Sequence, residues 1–270
     1  MTTTHDEALR VHSAGITGRR AWTAWDRVTL DQQHGMLVLA SHTPHSRFNA
    51  VLSTHATDDM PLEQRIAFIG ERADERKVPM AWWVDHDVSQ DEAPGLPAKL
   101  EAGGFILRTT LRAMIADARR LDTRIKTVRA FSCERVVSDS DLELWAKTAA
   151  VAYDFDDDVT ADWLDLHRTI GYTDDLGWRH HLARSGDEVI GCASAFVEAD
   201  NVSVSHVTTL PDYRGASVGT AATIRVLEQA RDRGLHSATL YAPVAAADLY
   251  QRIGFRKVGT LDVYERARRA

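Results

Sequence analysis

The feature that most constrains the fold of this chain is a short pattern that occurs twice. Residues 96–105 read as a short helix, a Gly-Gly-Phe stop and the start of a strand, and residues 247–255 read the same way with a Gly-Phe stop. A glycine directly after a helix can take the left-handed conformation that ends it, and the phenylalanine can then fold back onto the helix. Because Phe105 and Phe255 lie 150 positions apart, the sequence predicts two copies of one fold.

The boundary between the two copies is predicted within residues 116–126. This segment is charged and lacks an apolar period, which is typical of a connection rather than of a packed element. The length of 270 residues is sufficient for two domains. We therefore expect one domain at residues 1–120 and a second at residues 125–270.

Apolar periodicity predicts the main elements of both domains. In the first domain we expect strands at 35–41 and 80–84 and a helix at 61–76. The second domain reads β-α-α-β-β-β-α-β-α-β, with elements at 128–137, 139–152, 160–169, 178–183, 189–197, 202–210, 219–233, 237–242, 247–253 and from 256 onwards. Thr160 is a plausible N-cap for the second of these helices, and residues 185–188 indicate a hairpin turn. The predicted fold class is α/β (α+β), in which each domain is a mixed twisted sheet flanked by helices.

Charge and cysteine content narrow the function classes. The net charge of −7 argues against a strongly basic nucleic-acid surface. The two scattered cysteines suit a reducing compartment, where each is expected to be a small buried hydrophobe. The N-terminus has no signal-peptide pattern, and no stretch approaches the ~20 apolar residues of a membrane span. We expect a cytoplasmic protein without nucleic-acid or membrane partners.

The stretch 206–220 carries the chemical signal. A strand runs into a turn of small residues, which opens directly onto a helix. Small residues let the backbone approach a ligand closely, and the unpaired N–H groups at a helix start attract anions. Arg214 adds a cation suited to phosphate. The segment has neither the lysine of a Walker A loop nor the GxGxxG pattern, and a tight turn beside an arginine is the plain alternative.

Two motifs carry a resemblance to a known family. Pro211–Gly219 resembles the pyrophosphate loop of the GNAT superfamily of N-acetyltransferases, whose pattern is Gln/Arg-x-x-Gly-x-Gly/Ala. Arg214 takes the first place and Gly219 the last, whereas Ser217 replaces the middle glycine. Leu249–Phe255 resembles the second signature, Leu-Tyr-x-x-x-Gly-Phe, and begins 35 positions after Arg214. The resemblance covers roughly residues 128–270.

The resemblance implies an acetyl-CoA site and assigns its residues. The strand positions that would pair with the pantetheine arm are Val207, Thr208 and Thr209. The loop positions that would hold the pyrophosphate are Arg214, Gly215, Ala216, Ser217, Val218, Gly219 and Thr220. It further implies that the strands at 202–210 and 237–242 splay apart around the thioester, which the amine attacks directly. Tyr250 matches the tyrosine that protonates the departing thiolate.

The general base is left open by the sequence. His206 lies on the correct strand and is one candidate, although a histidine there can simply pack or face the cofactor. Glu198 and a water relay are equal alternatives. A backbone N–H of the strand can stabilise the oxyanion.

An acidic loop is a candidate substrate site. Asp154, Asp156 and Asp158 fall between two predicted helices, in a region that lines the acceptor site in the resembling family. A calcium loop is disfavoured, because Val159 and Asp165 stand where that loop needs glycine and glutamate. The three carboxylates either attract a cationic amine or form an ordinary solvated loop.

The first domain lacks the loop motif and carries Leu100 where the second carries Tyr250. It therefore resembles a degenerate GNAT copy that has lost cofactor binding. No metal is expected, since the histidines form no HExxH or Cys/His cluster. We expect an N-acetyltransferase, monomeric or homodimeric, that acts on a primary amine of a small molecule or peptide. The alternatives are a non-catalytic acyl-CoA sensor or scaffold, and a transferase for a longer acyl-CoA.

Overall fold

The computed structural model describes residues 4–88, 93–122, 131–173 and 177–268. The chain forms two compact units, which are described separately. The first consists of Met1–Ala113 together with Val258–Ala270, and the second consists of Met114–Lys257.

Among the described residues, the first unit contains three α-helices, four complete strands and parts of two more strands, and the sequence did not predict all of them. In chain order these elements are α1 (Thr4–Arg20), β1 (Val28–Gln33), β2 (Met36–Ser41), β3 (Ala50–Thr54), α2 (Leu62–Arg76), β4 (Met80–Asp85), α3 (Leu96–Ala102), β5 (Ile106–Asp117) and, from the end of the chain, β11 (Arg256–Arg266). The predicted apolar face of α2 is buried in the core of this unit at Leu62, Ile66, Ile69 and Ala73. Helix α1 has no strong apolar period, which explains why it was missed.

The sheet of the first unit is mixed, with strand order β1-β2-β3-β4-β11-β5. Strands β3 and β4 are parallel, whereas β1/β2, β2/β3 and β4/β11 are antiparallel. Leu261 pairs with Asp85, and Tyr264 is buried in the core. The predicted division assigned all of 125–270 to one domain, but this pairing places the last strand in the first unit.

The second unit contains the other elements. In chain order they are β6 (Ser132–Arg135), α4 (Asp139–Tyr153), α5 (Asp157–Ile170), β7 (Gly177–Ser185), β8 (Glu188–Glu198), β9 (Asn201–Thr209), α6 (Val218–Asp232), β10 (Ser237–Pro243) and α7 (Ala247–Ile253). The strand order is β5-β10-β9-β8-β7-β6, in which only the part of β5 from Met114 onwards belongs to this unit. Strands β9 and β10 are parallel, and the pairs from β6 to β9 are antiparallel. The predicted hairpin is present, since Ser185 pairs with Glu188.

The predicted helix start at Thr160 is wrong. Helix α5 begins at Asp157, and the Asp156 carboxylate accepts a hydrogen bond from the Val159 N–H at 2.8 Å. Aspartate is the stronger N-cap, because its charge also complements the positive end of the helix dipole. The beginning of the strand predicted at 128–137 lies outside the described residues, and β6 occupies only its later part.

Within the described ranges, no helix is both long enough and apolar enough to cross a bilayer.

Candidate active site

The loop between β9 and α6 is built for close approach of a ligand. After Thr209 the chain makes a 3₁₀ turn at Pro211–Tyr213, and α6 begins at Val218. Gly215 and Ser217 both take left-handed conformations, with φ of 81° and 62°. Alternating hands in successive residues turn several backbone N–H groups toward one side, which forms an anion-binding concavity.

Two glycines allow this loop to lie against the sheet. A Cβ atom on Gly191 of β8 would come within 2.5 Å of the Thr208 carbonyl oxygen and 3.0 Å of a Val218 methyl group. A Cβ atom on Gly219 would meet the Val207 side chain at 3.2 Å. The start of α6 is therefore pressed onto β9, which brings the helix N-terminus next to the end of that strand.

A cavity of about 260 Å³ opens at this junction. Its lining residues are Thr209, Arg214, Gly215, Ser217, Val218, Gly219, Thr220, Leu249 and Arg252. This lining carries two guanidinium groups and, among the described residues, no carboxylate. The first N–H groups of α6 have no carbonyl acceptor inside their own helix, and the helix dipole adds partial positive charge. The cavity can therefore hold an anion with several phosphate oxygens.

Strands β9 and β10 separate beside this cavity. Their parallel pairing runs from Ser237 with Asn201 to Leu240 with Val204 and then ends, although β9 continues to Thr209 and β10 to Pro243. On the other side of β9, His206 and Val207 together oppose one residue of β8, and His206 has φ of 52°. This β-bulge redirects the strand. The splayed gap that the resemblance implied is therefore present.

Tyr250 lies on α7 and is almost fully buried. Burial raises the pKa of its phenol to about 12, and a hydrogen bond with the Thr223 hydroxyl partly opposes this shift. Thr223 in turn donates to the Gly219 carbonyl at 2.8 Å. The phenol is thus tied through Thr223 to the first turn of α6.

His206 is buried in a cluster of aromatic rings. Its ring stacks on Trp178 with centroids 5.1 Å apart and meets Trp163 edge-on at 5.0 Å. Tyr153, the last residue of α4, is perpendicular to it at 6.0 Å. The imidazole is held in one orientation by its neighbours, at the point where β9 leaves β10.

Tyr153 is a site residue that the sequence analysis missed. Besides its contact with His206, its phenol interacts electrostatically with Tyr250 and raises the pKa of that group slightly further. Tyr153 is half-buried, and Phe155 packs beside it with a ring separation of 5.4 Å. In the sequence Tyr153 directly precedes the acidic loop and Phe155 lies within it, which is the signal that could have pointed to them.

A second buried imidazole supports this cluster. His180 Nδ1 lies 2.8 Å from the Ser194 hydroxyl oxygen, to which the Trp145 indole also donates. The His180 ring stacks on Trp145 at 3.6 Å. Burial holds the pKa of His180 well below its usual value, so this ring is neutral and structural.

The three acidic candidates occupy the junction between α4 and α5. Asp154 has a left-handed conformation with φ of 53° and ends α4, Asp156 caps α5, and Asp158 lies in the first turn of α5. All three are exposed. Asp154 and Asp156 therefore have local structural roles, and all three lie within a few residues of Tyr153.

Neither cysteine is poised for nucleophilic catalysis. Burial raises the pKa of Cys133 to about 11 and that of Cys192 to about 12, so both are protonated thiols at neutral pH. Both are free, and Cys133 is only partly buried. Over the described part of the chain, the His, Cys, Asp and Glu side chains form no group of three that could hold a metal ion.

The structure brings most of the predicted site residues into two adjacent places. The predicted loop residues, except Ala216, line the cavity together with Thr209. The His206 ring lies 6.0 Å from that of Tyr153, and the Tyr250 phenol interacts electrostatically with Tyr153. Arg252 of the cavity was not predicted, because the second signature leaves its position unspecified.

Comparison with known proteins agrees with this geometry. The family model described as "Acetyltransferase (GNAT) family" matches residues 145–255, which include the loop, the cavity and α7. No curated protein sequence matches the chain.

Solved structures match nearly the whole chain in fold. A GCN5-related N-acetyltransferase from Kribbella flavida aligns with a TM-score of 0.71 at 16% identity, covering 96% of this chain and 95% of that one. One from Sphaerobacter thermophilus gives 0.64 at 12% identity, with coverages of 98% and 93%. A tandem GNAT protein from the clavulanic acid biosynthesis pathway gives 0.59 at 13%, with coverages of 97% and 94%. The loop, the cavity and the second signature thus lie in the segment that matches the GNAT acetyltransferase family, and nearly the whole chain has the fold of solved GCN5-related N-acetyltransferases.

Proposed function

We propose that the second unit transfers an acetyl group from acetyl-CoA to a primary amine on a small molecule or peptide. The observation that carries this proposal is the cation-lined cavity at the end of β9, beside the gap between β9 and β10. A diphosphate in the cavity would direct the rest of the donor along the unpaired edge of β9. The thioester would then lie in the gap.

The donor would be held mainly by backbone groups. Beyond Val204, residues Val207–Thr209 have no ladder partner on β10, so their N–H and C=O groups can pair with the amides of pantetheine. The loop from Arg214 to Thr220 would bind the pyrophosphate through N–H groups and one guanidinium. Ser217 fits this role, because its left-handed backbone rather than its side chain shapes the concavity.

The reaction forms one C–N bond and breaks one C–S bond. The neutral amine attacks the thioester carbonyl, and a β9 N–H at the bulge stabilises the oxyanion. Collapse releases the CoA thiolate. Complete proton transfer from a phenol of pKa about 12 to a thiolate of pKa ~8.5 is uphill by roughly 5 kcal/mol. Tyr250 therefore acts first as a hydrogen-bond donor to the developing thiolate. When the phenol proton passes to the thiolate, the proton that the amine loses is returned to the phenolate, so that the net transfer is from nitrogen to sulfur.

His206 is the proposed acceptor of the amine proton. It is fixed by aromatic neighbours at the start of the gap. Glu198, the other candidate, lies at the β8–β9 turn, where it pairs with Asn201. That position is roughly 16 Å along β9 from His206 at ~3.3 Å per residue. The structure thus favours His206 over Glu198.

The acceptor would enter on the side of α4 and α5. Tyr153 and Phe155 provide aromatic surface there, and the exposed carboxylates of Asp154, Asp156 and Asp158 add negative charge. Such a surface raises the local concentration of an ammonium group, and aromatic faces attract it at short range. An acceptor that is cationic before it loses its proton fits this entrance.

The first unit is proposed to be a degenerate copy without a catalytic site. Its α3 presents Leu100, which is fully buried, at the place of Tyr250. The free thiols of Cys133 and Cys192 are compatible with a reducing compartment, so we place the enzyme in the cytoplasm.

The test is release of CoA thiol from acetyl-CoA across a panel of primary amines, with mass analysis of the acetylated product. We expect amine-dependent release that exceeds the release without amine. Tight binding of acetyl-CoA without turnover on any amine would favour a sensor or scaffold. Faster release from a longer acyl-CoA, with the same amine, would change the donor assignment.

A further inference from the structure

Ser205 of β9 carries a hydroxyl that the described residues do not use. Its Oγ atom is buried and has no hydrogen-bond partner among them. A buried hydroxyl without a partner destabilises a fold, so its presence calls for an explanation. Ser194, directly opposite on β8, differs, because its hydroxyl is bonded to His180 and to the Trp145 indole. The Ser205 hydroxyl is therefore available to a ligand.

Ser205 lies at the point where β9 leaves β10. The parallel pairing ends at Val204 with Leu240, so Ser205 is the first residue of β9 beyond the ladder. The left-handed His206 and the β-bulge follow immediately. This point is the start of the gap in which the thioester is proposed to lie, so the Ser205 hydroxyl is placed next to the reacting atoms.

The side chains of Ser205 and His206 lie on the same side of β9. Residues directly opposite each other in an antiparallel pair share a face, and Ser194 faces Trp145 of α4. Successive residues normally alternate between faces, but the His206 ring also meets Trp145, with centroids 5.8 Å apart. The left-handed backbone of His206 accounts for this departure. Both side chains therefore face the side from which the amine is proposed to enter.

The chemistry of a primary amine gives this hydroxyl a role. A neutral primary amine has two N–H bonds and one lone pair. The lone pair attacks the thioester carbonyl, His206 takes one proton, and the second N–H remains in the amide product. We propose that the Ser205 hydroxyl accepts a hydrogen bond from this second N–H and makes the enzyme prefer primary over secondary amines. This inference rests on the proposed function. A secondary amine has no second N–H, so its lone pair is less well oriented and Ser205 stays without a partner.

The hydroxyl can reach the amine without breaking a hydrogen bond to any described residue. Ser205 as a whole is half-buried, although its Oγ atom is buried. Rotation about the Cα–Cβ bond moves the hydroxyl between staggered positions. Since Oγ has no partner to lose, binding of the amine supplies the hydrogen bond that the fold lacks. A neutral hydrogen bond of ordinary strength corresponds to a change of up to about tenfold in rate.

The experiment compares the acetylation of primary amines with that of their mono-N-methyl derivatives by the full chain. Benzylamine, cadaverine and glycinamide are the probes, together with the fastest amine of the panel. Ser205→Ala should lower kcat/KM about tenfold for the primary amines and less than about twofold for the N-methyl derivatives, at unchanged acetyl-CoA KM. Because the hydroxyl has no partner among the described residues, the free energy of unfolding should not fall.

Ser237→Ala is the matched control. The Oγ atom of Ser237 is likewise buried without a hydrogen-bond partner among the described residues, but Ser237 lies at the paired end of β10, opposite Asn201. The substitution therefore removes the same kind of group away from the gap. It should leave kcat/KM unchanged for both classes of amine.

Each other outcome overturns the inference in a recognisable way. Equal losses for primary and N-methyl amines in Ser205→Ala would assign the hydroxyl to the thioester carbonyl, and unchanged rates for both would show that it does not contact the amine. A lower free energy of unfolding for Ser205→Ala would show that the hydroxyl supports the fold. The same loss in Ser237→Ala would attribute the effect to strand packing. If the wild-type protein acetylates none of the amines, the proposed function itself fails.

Discussion

The two helix–Gly–Phe segments share a backbone and differ in chemistry. Helices α3 and α7 end in the same way, since the Phe105 N–H donates to the Leu100 carbonyl and the Phe255 N–H to the Tyr250 carbonyl, both at 3.0 Å. Both stops use a left-handed glycine, Gly104 in the first unit and Gly254 in the second. The pattern that occurs twice in the sequence therefore corresponds to two helices that end in the same way.

Two positions near these helix ends differ in polarity: the first unit has apolar side chains there, whereas the second has a phenol and a guanidinium. Leu100 stands at the position of Tyr250, and Ala102 stands at that of Arg252. Helix α2 begins after Pro61 with Glu63 in its first turn, whereas α6 begins after the left-handed loop that follows Arg214. The carboxylate of Glu63 disfavours an anion at the start of α2, whereas α6 has no acidic residue in its first turn and follows Arg214.

The larger of two cavities, one in each unit, is not the one proposed to bind the donor. A groove of about 720 Å³ in the first unit lies between α2 and α3 and includes Glu63, Glu71 and Asp74. Glu63 pairs with Lys99 at 2.9 Å and Asp74 with Arg266 at 2.7 Å, so the basic side chains in this groove are already neutralised. The smaller cavity of the second unit is lined by Arg214 and Arg252 and, among the described residues, by no carboxylate, so charge rather than volume distinguishes the proposed donor site.

The largest expected effect comes from reversing the charge of the donor loop. Arg214→Glu should lower CoA affinity more than 100-fold, because a cation is replaced by a like charge of the pyrophosphate. Glu63→Arg should create no second site, since α2 lacks the left-handed loop. Calorimetry should give one CoA per chain for wild type and for Glu63→Arg. A stoichiometry near two would end the interpretation of the first unit as degenerate.

Substitution of Tyr250, whose counterpart in the first unit is Leu100, should produce the next largest effect. Tyr250→Phe should lower kcat about 100-fold at unchanged acetyl-CoA affinity, because only the donor to the departing thiolate is lost. Since the Tyr250 pKa is held near 12, the phenol stays protonated and no loss of activity from its ionisation is expected up to pH 10. The reverse change, Leu100→Tyr, should add no activity. A folded Tyr250→Phe variant with the wild-type rate would assign the proton donor elsewhere.

Neutralising the acidic loop should have a moderate effect. Replacing Asp154, Asp156 and Asp158 by asparagine should raise the amine KM up to about tenfold at low salt and leave the acetyl-CoA KM unchanged. Asparagine retains the N-cap at 156 and tolerates the left-handed backbone at 154. The control triple in the first unit, Asp26, Asp31 and Asp58 to asparagine, makes the same change in net charge. An equal rise in KM in both triples would attribute the effect to total charge alone.

The smallest expected effect concerns the departure from the family loop pattern. Ser217 is left-handed, and its side chain makes no capping hydrogen bond to the described residues. Ser217→Gly should relieve backbone strain and raise the free energy of unfolding by up to about 1 kcal/mol, or tighten CoA binding a few-fold. Gly254→Ala, at the left-handed stop of α7, should instead lower the free energy of unfolding, because alanine is strained in that conformation. Thermal melting with and without CoA separates stability from affinity, and a destabilised Ser217→Gly variant would show that the hydroxyl is used.

The sequence by itself determined the features that depend on neighbouring residues. Left-handed glycines end α3 and α7, the turn at 185–188 joins β7 to β8, and small residues with Arg214 form the loop before α6. Each follows from local backbone preferences, which are expressed within a few positions of the chain. The turn and helix start at 214–220 could therefore be predicted from their residues, whereas the proposed roles of this loop and of Tyr250 came from the resemblance to the family.

Tertiary structure decided the pairings between distant residues. Strand β11 joins the first unit because its backbone pairs with β4, and the pairing of β9 with β10 stops at Val204 because of the paths of both strands. Tyr153 lies beside His206, and Arg252 lines the cavity at the end of β9, only through the packing of α4 and α7. Sheet partners and side-chain neighbours are set by burial and hydrogen bonding summed over the whole unit, and no local pattern encodes them.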